Sequence, residues 1–256
     1  MEVVRIEQRI LSPTSVNTYL SCPRKFYLRY IKRQSFRPSI HLIRGLIVHD
    51  TLYQFHKDNP HISEQMPIGE VRRRLLEIFN RLWEKAMPRI ASLGLSEEEI
   101  RYYHDDSELM LFNYSDWFYK HHMPTPELSE ARILSKNLML MGVIDALLPD
   151  GDGVALVDYK TSKNIEITSD MERQAAFYAL LYQDKYKKAP EKILVHFLKT
   201  PDEPLVIHVD EHLLEYGRIV LQSIREKTLS QDERDYPCTC GGYCEQDFAR
   251  GDYGNG

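Results

Sequence analysis

The spacing of apolar residues changes near the middle of this 256-residue chain. In the first half they recur every three or four positions, which is typical of helices with one buried face. In the second half they alternate or form short runs, which indicates strands. The pattern predicts a single domain with a mainly helical part over 1–125, an α/β core over 130–230 and a cysteine-rich cap over 231–256.

Three helical segments are predicted in the first half, each with an apolar stripe. Proline and glycine should interrupt two of them, because proline lacks a backbone N–H and glycine favours helix ends. The segments are 15–33, interrupted at Pro23; 43–56; and 68–120, broken at Pro88 and Gly94.

The second half is predicted to form a mixed β-sheet flanked by helices, which is an α/β fold. Residues 133–148 alternate between apolar and polar, and the turn at 149–153 leads into a second strand over 154–160. The remaining predicted elements are strands over 192–198 and 205–209 and helices over 169–186 and 210–229.

Composition describes an ordinary globular protein, with 43% hydrophobic and 28% charged residues. No run of about 18 apolar residues is present, so no membrane span is expected. The first residues lack the charged-then-apolar order of a signal peptide. A cytoplasmic protein is expected.

Charge is distributed unevenly along the chain. The net charge of −5 argues against a general polyanion-binding protein, yet no acidic residue occurs between Glu7 and Asp50. Arg24, Lys25 and Arg29 lie in this segment among aromatic residues. Such a segment could contact a nucleic-acid backbone, or it could be a solvated helix face.

Three polar residues interrupt the two strands of the predicted hairpin. Asp145 follows an apolar run, and Asp158 and Lys160 are two positions apart, so that on a strand they share one face. An acid and a lysine alone could form a structural ion pair. A second carboxylate on the neighbouring strand favours a divalent metal, because two carboxylates at one place repel each other unless a cation joins them.

Four motifs occur in the order found in RecB-like nucleases of the PD-(D/E)XK superfamily, and the sequence resembles that family over about 12–250. They are Gly45-x-x-x-His49, Gly142-x-x-Asp145, Asp158-Tyr159-Lys160-Thr161 and Gln174-x-x-x-Tyr178. The resemblance implies a restriction-endonuclease-like fold and a DNA nuclease that uses Mg²⁺ or Mn²⁺.

The same resemblance implies a role for each motif residue. Lys160 would be catalytic together with the two acids, and Gln174 and Tyr178 would lie beside it on a helix, four residues apart and therefore on one face. The implied metal ligands are His49, Asp145, Asp158 and the backbone carbonyl of Tyr159.

The four cysteines are Cys22, Cys238, Cys240 and Cys244. In a cytoplasmic protein such a cluster favours a metal centre over disulfides, and thiolates suit either zinc or an iron–sulfur cluster. One cysteine before the core and three after it resemble the CRISPR-associated Cas-four type, which implies a 4Fe-4S cluster. The spacings of one and three residues in the trailing group differ from the family pattern, so Zn²⁺ stays an alternative.

The Cas-four resemblance implies an exonuclease that acts on single-stranded DNA or DNA ends. It would process fragments for CRISPR adaptation, with an integrase complex as partner. Two alternatives are a stand-alone DNA-repair exonuclease of the same superfamily and a non-catalytic DNA-binding subunit that keeps the fold.

Overall fold

A five-stranded mixed sheet lies between two groups of helices in the computed structural model of the protein. The structure describes residues 9–36, 38–59, 66–121, 126 and 128–244. The strands are β1 (Leu128–Ser135), β2 (Leu140–Asp150), β3 (Gly153–Lys160), β4 (Lys192–Phe197) and β5 (Leu205–His208). The helices are α1 (Pro13–Ser21), α2 (Pro23–Phe26), α3 (Ile40–Asp58), α4 (Ile68–Ala91), α5 (Glu97–Lys120), α6 (Ser169–Tyr186) and α7 (Glu211–Lys227). A π-helix over Tyr27–Ile31 follows α2, and a 3₁₀ turn over Glu233–Asp235 follows α7.

The strands are arranged in chain order from β1 to β5. All neighbouring strands are antiparallel except β3 and β4, which are parallel. A parallel pair needs a long crossover, and α6 supplies it. Because α6 follows β3 directly, its first turns begin near the end of the strand that carries Asp158 and Lys160.

Each face of the sheet has its own apolar core. One core joins the sheet to α1, α2, α6 and α7 and contains Phe177 and Leu181. The other joins the opposite face to α3, α4 and α5 and contains Phe55 and Tyr114. The sheet is therefore covered on both sides, as a buried mixed sheet requires. The predicted mixed sheet with flanking helices and an N-terminal helical region is confirmed. No helix in the described part of the chain has the length and apolar character needed to cross a membrane.

The prediction of one strand over 133–148 was wrong, because this segment contains a hairpin. Strand β1 pairs antiparallel with β2, with Ser135 opposite Leu140. The Ser135 hydroxyl accepts a hydrogen bond from the N–H of Leu138, and Met139 has a φ of +43°. Three consecutive polar residues over 135–137 mark this turn in the sequence, and the prediction of a single strand overlooked them.

Helix breaks were predicted at two prolines, and only one of them interrupts its helix. Pro88 does not break its helix, since α4 runs through it to Ala91. It lies in the last turn, so the one helical hydrogen bond that its missing N–H removes affects only the end of the helix. Pro23 interrupts its segment as predicted: α1 ends at Ser21, Cys22 is extended, and Pro23 opens α2. Gly94, with a φ of +74°, lies in the loop after α4.

Candidate active site

Strands β2 and β3 separate at Asp145 and Asp158, the two predicted carboxylates of the site. Their ladder ends with the pair Ala146 and Val157, directly before Asp145 and Asp158. Past this point the Asp145 carboxylate accepts a hydrogen bond from the backbone N–H of Tyr159, with an N–Oδ2 distance of 2.7 Å. A side chain thus replaces the missing ladder partner, and the gap between the strands becomes polar.

The backbone carbonyl of Tyr159 faces this gap. Backbone groups of successive strand residues point to opposite neighbours, and the carbonyl of Lys160 accepts from the N–H of Leu198 on the β4 side at 2.9 Å. The backbone of Tyr159 therefore points the other way, towards Asp145. The carbonyl is on the side where the sequence predicts a ligand.

A chain of hydrogen bonds links β3 to α6. The ammonium of Lys160 lies 2.6 Å from Oδ2 of Asp158 and donates to Oε1 of Gln174 at 2.7 Å. The Gln174 amide donates in turn to the hydroxyl of Tyr178 at 2.7 Å. The shared face of Asp158 and Lys160, and the shared face of Gln174 and Tyr178, follow from strand and helix geometry.

Helix α3 brings His49 to the same place. Its ring Nδ1 lies 3.1 Å from Oδ1 of Asp145. The helix approaches the end of β3 closely, since a Cβ on Gly45 would lie 3.3 Å from Oγ1 of Thr161. Glycine at this position therefore lets α3 pack near enough for His49 to reach Asp145.

The two carboxylates and the imidazole influence one another's protonation. Burial raises the pKa of Asp158; Lys160 opposes this shift, and the charge of Asp145 adds to it. Burial disfavours the charged form of His49, but the Asp145 carboxylate and its hydrogen bond outweigh that effect and raise the pKa of His49. The group as a whole favours an additional positive charge, supplied by a proton or by a cation.

The donor set fits a hard divalent cation. The two carboxylates and the carbonyl are oxygen ligands of the kind that Mg²⁺ and Mn²⁺ prefer, and the imidazole adds one nitrogen ligand. The group is looser than the four cysteines, whose sulfur atoms all lie within 4.8 Å of one another. In this structure Asp145 is engaged by His49 and Tyr159, and Asp158 is engaged by Lys160.

A third carboxylate, Glu130, lies at the site and was missed by the sequence analysis. It lines one small cavity together with His49, Asp145 and Tyr159. Its backbone has a φ of +48°, which is uncommon for a residue other than glycine. Burial raises the pKa of Glu130, and the charges of Asp50 and Asp145 act in the same direction. No local motif marks Glu130, because its proximity to Asp145 depends on the β1–β2 pairing.

Arg44 belongs to the basic segment between Glu7 and Asp50, but it is a buried structural residue. It is only 3% exposed, pairs with Asp106 on α5 and donates to the carbonyl of Thr161 at 3.2 Å. Lys199 binds the same carboxylate at 2.8 Å. Arg44 is therefore a buried link between α3, α5 and the end of β3. No local pattern marks this role, because Asp106, Thr161 and Lys199 are all distant from Arg44 in the chain.

The four cysteines lie together, although more than 200 residues separate the first from the others. The sulfur of Cys238 is 3.7 Å from that of Cys240 and 3.5 Å from that of Cys244. All four are free thiols. Burial opposes ionisation of Cys22, but hydrogen bonds, including N–H groups of Thr239 and Lys25, outweigh it and lower its pKa to about 6. A thiol that ionises readily is suited to binding a metal. Cys244 differs, because burial and the neighbouring thiols raise its pKa.

The predicted DNA-contacting residues lie beside the cysteine cluster. Arg24 pairs with Glu233 at 2.5 Å, and its guanidinium lies 5.9 Å from the ring centre of Tyr27. Arg29 lies 4.3 Å from the ring centre of Phe36. These side chains and Lys25 are half-buried rather than fully solvated. Arg37, the last arginine of the segment before α3, lies outside the described residues.

The comparisons with known proteins are consistent with this geometry. The model of the PD-(D/E)XK nuclease superfamily matches residues 10–246. Among solved structures, 22 chains match. One is the crystal structure of a "Putative exonuclease" from Eubacterium rectale, with a TM-score of 0.50 and 16% identity, covering 96% of this chain and 91% of that one. At this identity the likeness concerns the fold, which is restriction-endonuclease-like. No curated protein matches the sequence.

Proposed function

This chain belongs to the PD-(D/E)XK nuclease superfamily, and we propose that it is a divalent-metal-dependent deoxyribonuclease. The proposed reaction is hydrolysis of a phosphodiester bond at single-stranded DNA or DNA ends, by exonuclease action. The observation that carries the proposal is the position of Lys160. Its ammonium contacts Asp158 and Gln174, at the open end of the sheet where Asp145 meets His49.

The proposed ligands of Mg²⁺ or Mn²⁺ are His49, Asp145, Asp158 and the backbone carbonyl of Tyr159. Such an ion supplies Lewis-acid chemistry: it polarises a phosphoryl oxygen and lowers the pKa of a bound water. The family membership and the donor types of these groups support this assignment. Glu130 lines the same cavity and adds a further carboxylate.

The proposed role of Lys160 is to stabilise the negative charge that develops on the phosphate. An ammonium fixed in a largely buried site does this well, because it needs little reorganisation during the reaction. Gln174 holds Lys160 by accepting its hydrogen bond, and Tyr178 holds the Gln174 amide. In this proposal Gln174 and Tyr178 act by keeping Lys160 in position.

The four cysteines are proposed to hold a structural metal centre, either a 4Fe-4S cluster or Zn²⁺. The convergence of their sulfur atoms within 4.8 Å supports a metal centre of either type. Visible absorbance of the purified protein would identify iron–sulfur, and its absence together with bound zinc would identify Zn²⁺. The division of the chain into a helical part, a core and a cap within one domain stays a prediction.

DNA contacts by Arg24, Lys25 and Arg29 are part of the proposal. If these residues bind phosphates, the affinity for DNA falls steeply with salt. We also propose a cytoplasmic location. For the biological role, two proposals stand side by side: processing of fragments for CRISPR adaptation with an integrase complex, and action as a stand-alone repair exonuclease. The genes next to this one would separate the two roles.

The decisive test is cleavage of single-stranded DNA labelled separately at each end, with Mg²⁺ or Mn²⁺. Lys160→Ala should reduce the rate at least about 100-fold, the usual effect of removing a group that stabilises transition-state charge. Lys227→Ala, at the exposed end of α7, is the matched control and should cleave like the wild type. The labelled ends report the polarity of digestion.

A folded, metal-loaded wild-type protein that cleaves nothing under these conditions would contradict the proposed activity. If it still bound DNA, the non-catalytic subunit would become the better explanation.

A further inference from the structure

Helix α3 carries an exposed apolar stripe that leads to the candidate active site. Leu42 is 39% exposed and Leu46 is 49% exposed. Positions 42, 46, 49 and 53 share one face of a helix, so both leucines lie in line with His49. With a rise of about 1.5 Å per residue, they lie about 10 Å and about 4.5 Å from His49 along the helix axis.

The stripe is not the face by which α3 packs into the protein. That face is formed by other apolar residues, which are buried: Ile43, Ile47, Val48, Leu52 and Phe55. A surface helix normally presents polar residues on its outer side. A second apolar face, placed in line with an active-site histidine, therefore requires its own explanation.

The electrostatic surroundings of the stripe favour a negatively charged ligand. The stripe lies in the segment between Glu7 and Asp50 that contains no acidic residue. Arg44, buried on the same helix, and Lys199 share the carboxylate of Asp106, so this network holds two cations and one anion. The acids beside His49 lie at the other end of the stripe, at the proposed metal site. An apolar surface of this kind suits a ligand with hydrophobic faces and an anionic backbone.

We infer that Leu42 and Leu46 contact unpaired bases of the DNA strand whose phosphate reaches Lys160. The inference rests on the proposed nuclease function and extends it to substrate selection. A strand that approaches His49 along α3 passes over Leu46, and its bases offer apolar faces whatever their sequence. Paired bases are stacked inside a duplex and cannot present these faces. The stripe therefore selects single-stranded DNA or frayed ends.

The test compares Leu42→Gln/Leu46→Gln with the wild type on two single-stranded oligonucleotides. One is a normal strand, and the other has abasic residues on both sides of the cleaved phosphate. Glutamine has a helix propensity similar to that of leucine, so α3 should be retained. On the normal strand kcat/KM should fall about tenfold, which corresponds to about 1.4 kcal/mol. On the abasic strand the variant and the wild type should be equal, because the contact is already lost.

Two controls use leucine and isoleucine side chains exposed elsewhere. Leu109→Gln on α5 and Ile219→Gln on α7 change side chains that are 52% and 58% exposed, and both should leave kcat/KM unchanged on either strand. In a second arm, Leu46→Phe should increase kcat/KM on the normal strand alone, since a larger apolar face contacts a base better.

Equal losses on the normal and abasic strands, or no loss on either, would overturn the inference. If the wild type cleaves neither strand, it is the proposed activity that fails. Binding of the same oligonucleotides, followed by fluorescence anisotropy, then tests the stripe independently. A loss of affinity confined to the normal strand would support the base contact, and equal affinities would refute it.

Discussion

At the scale of single residues, the candidate site depends on a glycine, Gly142, which leaves room for the side chains of α6. A Cβ on Gly142 of β2 would lie 2.8 Å from Cδ1 of Leu181 and 3.1 Å from the ring of Tyr178. Tyr178 accepts the hydrogen bond of Gln174, which in turn holds Lys160. The glycine thus lets α6 lie close enough to β2 for this chain to reach the lysine.

Gly142→Ala should therefore displace Tyr178 and with it Lys160. We expect a loss of about 1–3 kcal/mol in the free energy of unfolding, as for an overpacked core, and a lower kcat. The matched control is Gly69→Ala on α4, where a Cβ would meet nothing within 4 Å. Urea unfolding and the cleavage assay measure both effects. A Gly142→Ala protein with wild-type stability and kcat would contradict this account.

At the scale of elements, α3, α5 and the end of β3 are joined by buried charges. Asp106 lies between two cations, Arg44 and Lys199, while Arg44 also donates to the carbonyl of Thr161. The three partners do not contribute equally. Removal of Arg44 leaves an intact pair, whereas removal of the Asp106 charge leaves two cations close together and largely buried.

Asp106→Asn should consequently destabilise the protein more than Arg44→Met. We expect a loss of about 3–5 kcal/mol for the aspartate, in line with other buried charges that lose their partner, and a smaller loss for the arginine. Arg73→Gln removes the exposed pairs with Glu70 and Glu77 and should leave the melting temperature nearly unchanged. Thermal unfolding of the three variants ranks them. Equal effects of Asp106→Asn and Arg44→Met would show that the charges act independently.

At the scale of the whole molecule, the cysteine cluster joins the two ends of the described chain. Cys22 lies at the break between α1 and α2, and its partners follow α7. Around it, the N–H of Arg24 donates to the carbonyl of Pro237, and the Thr239 hydroxyl donates to the carbonyl of Ser21. A metal bound here would close a loop of most of the chain, which restricts the unfolded state.

Cys22→Ser should lower the melting temperature by several degrees and reduce bound metal, while the kcat of the protein that remains folded stays close to the wild-type value. Elemental analysis and calorimetry measure the two effects. Ser21→Ala, one residue away, keeps all four thiols and is the control. Unchanged metal content and melting temperature in Cys22→Ser would refute a structural role for the cluster.

The sequence predicted the elements of the fold better than their boundaries. Periodicity identified α6, α7 and the strands β3 to β5, because each is a local pattern with one dominant repeat. It merged β1 with β2, because the polar run over 135–137 that marks the turn was taken as part of one strand. The same error concealed Glu130, which lies on β1 near Asp145 only because the two strands pair.

The sequence by itself determined which functional side chains lie on the same face of one strand or one helix. Asp158 and Lys160 share a strand face, and Gln174 and Tyr178 share a helix face, because each pair is separated by one repeat of its element. Local pattern did not determine which distant groups meet. The family resemblance implied that His49 and Asp145 come together, and likewise the four cysteines, while the contact of Arg44 with Asp106 was decided by the tertiary structure alone. The physical reason is that these contacts depend on the packing of whole elements, and a one-dimensional pattern carries no distance between elements.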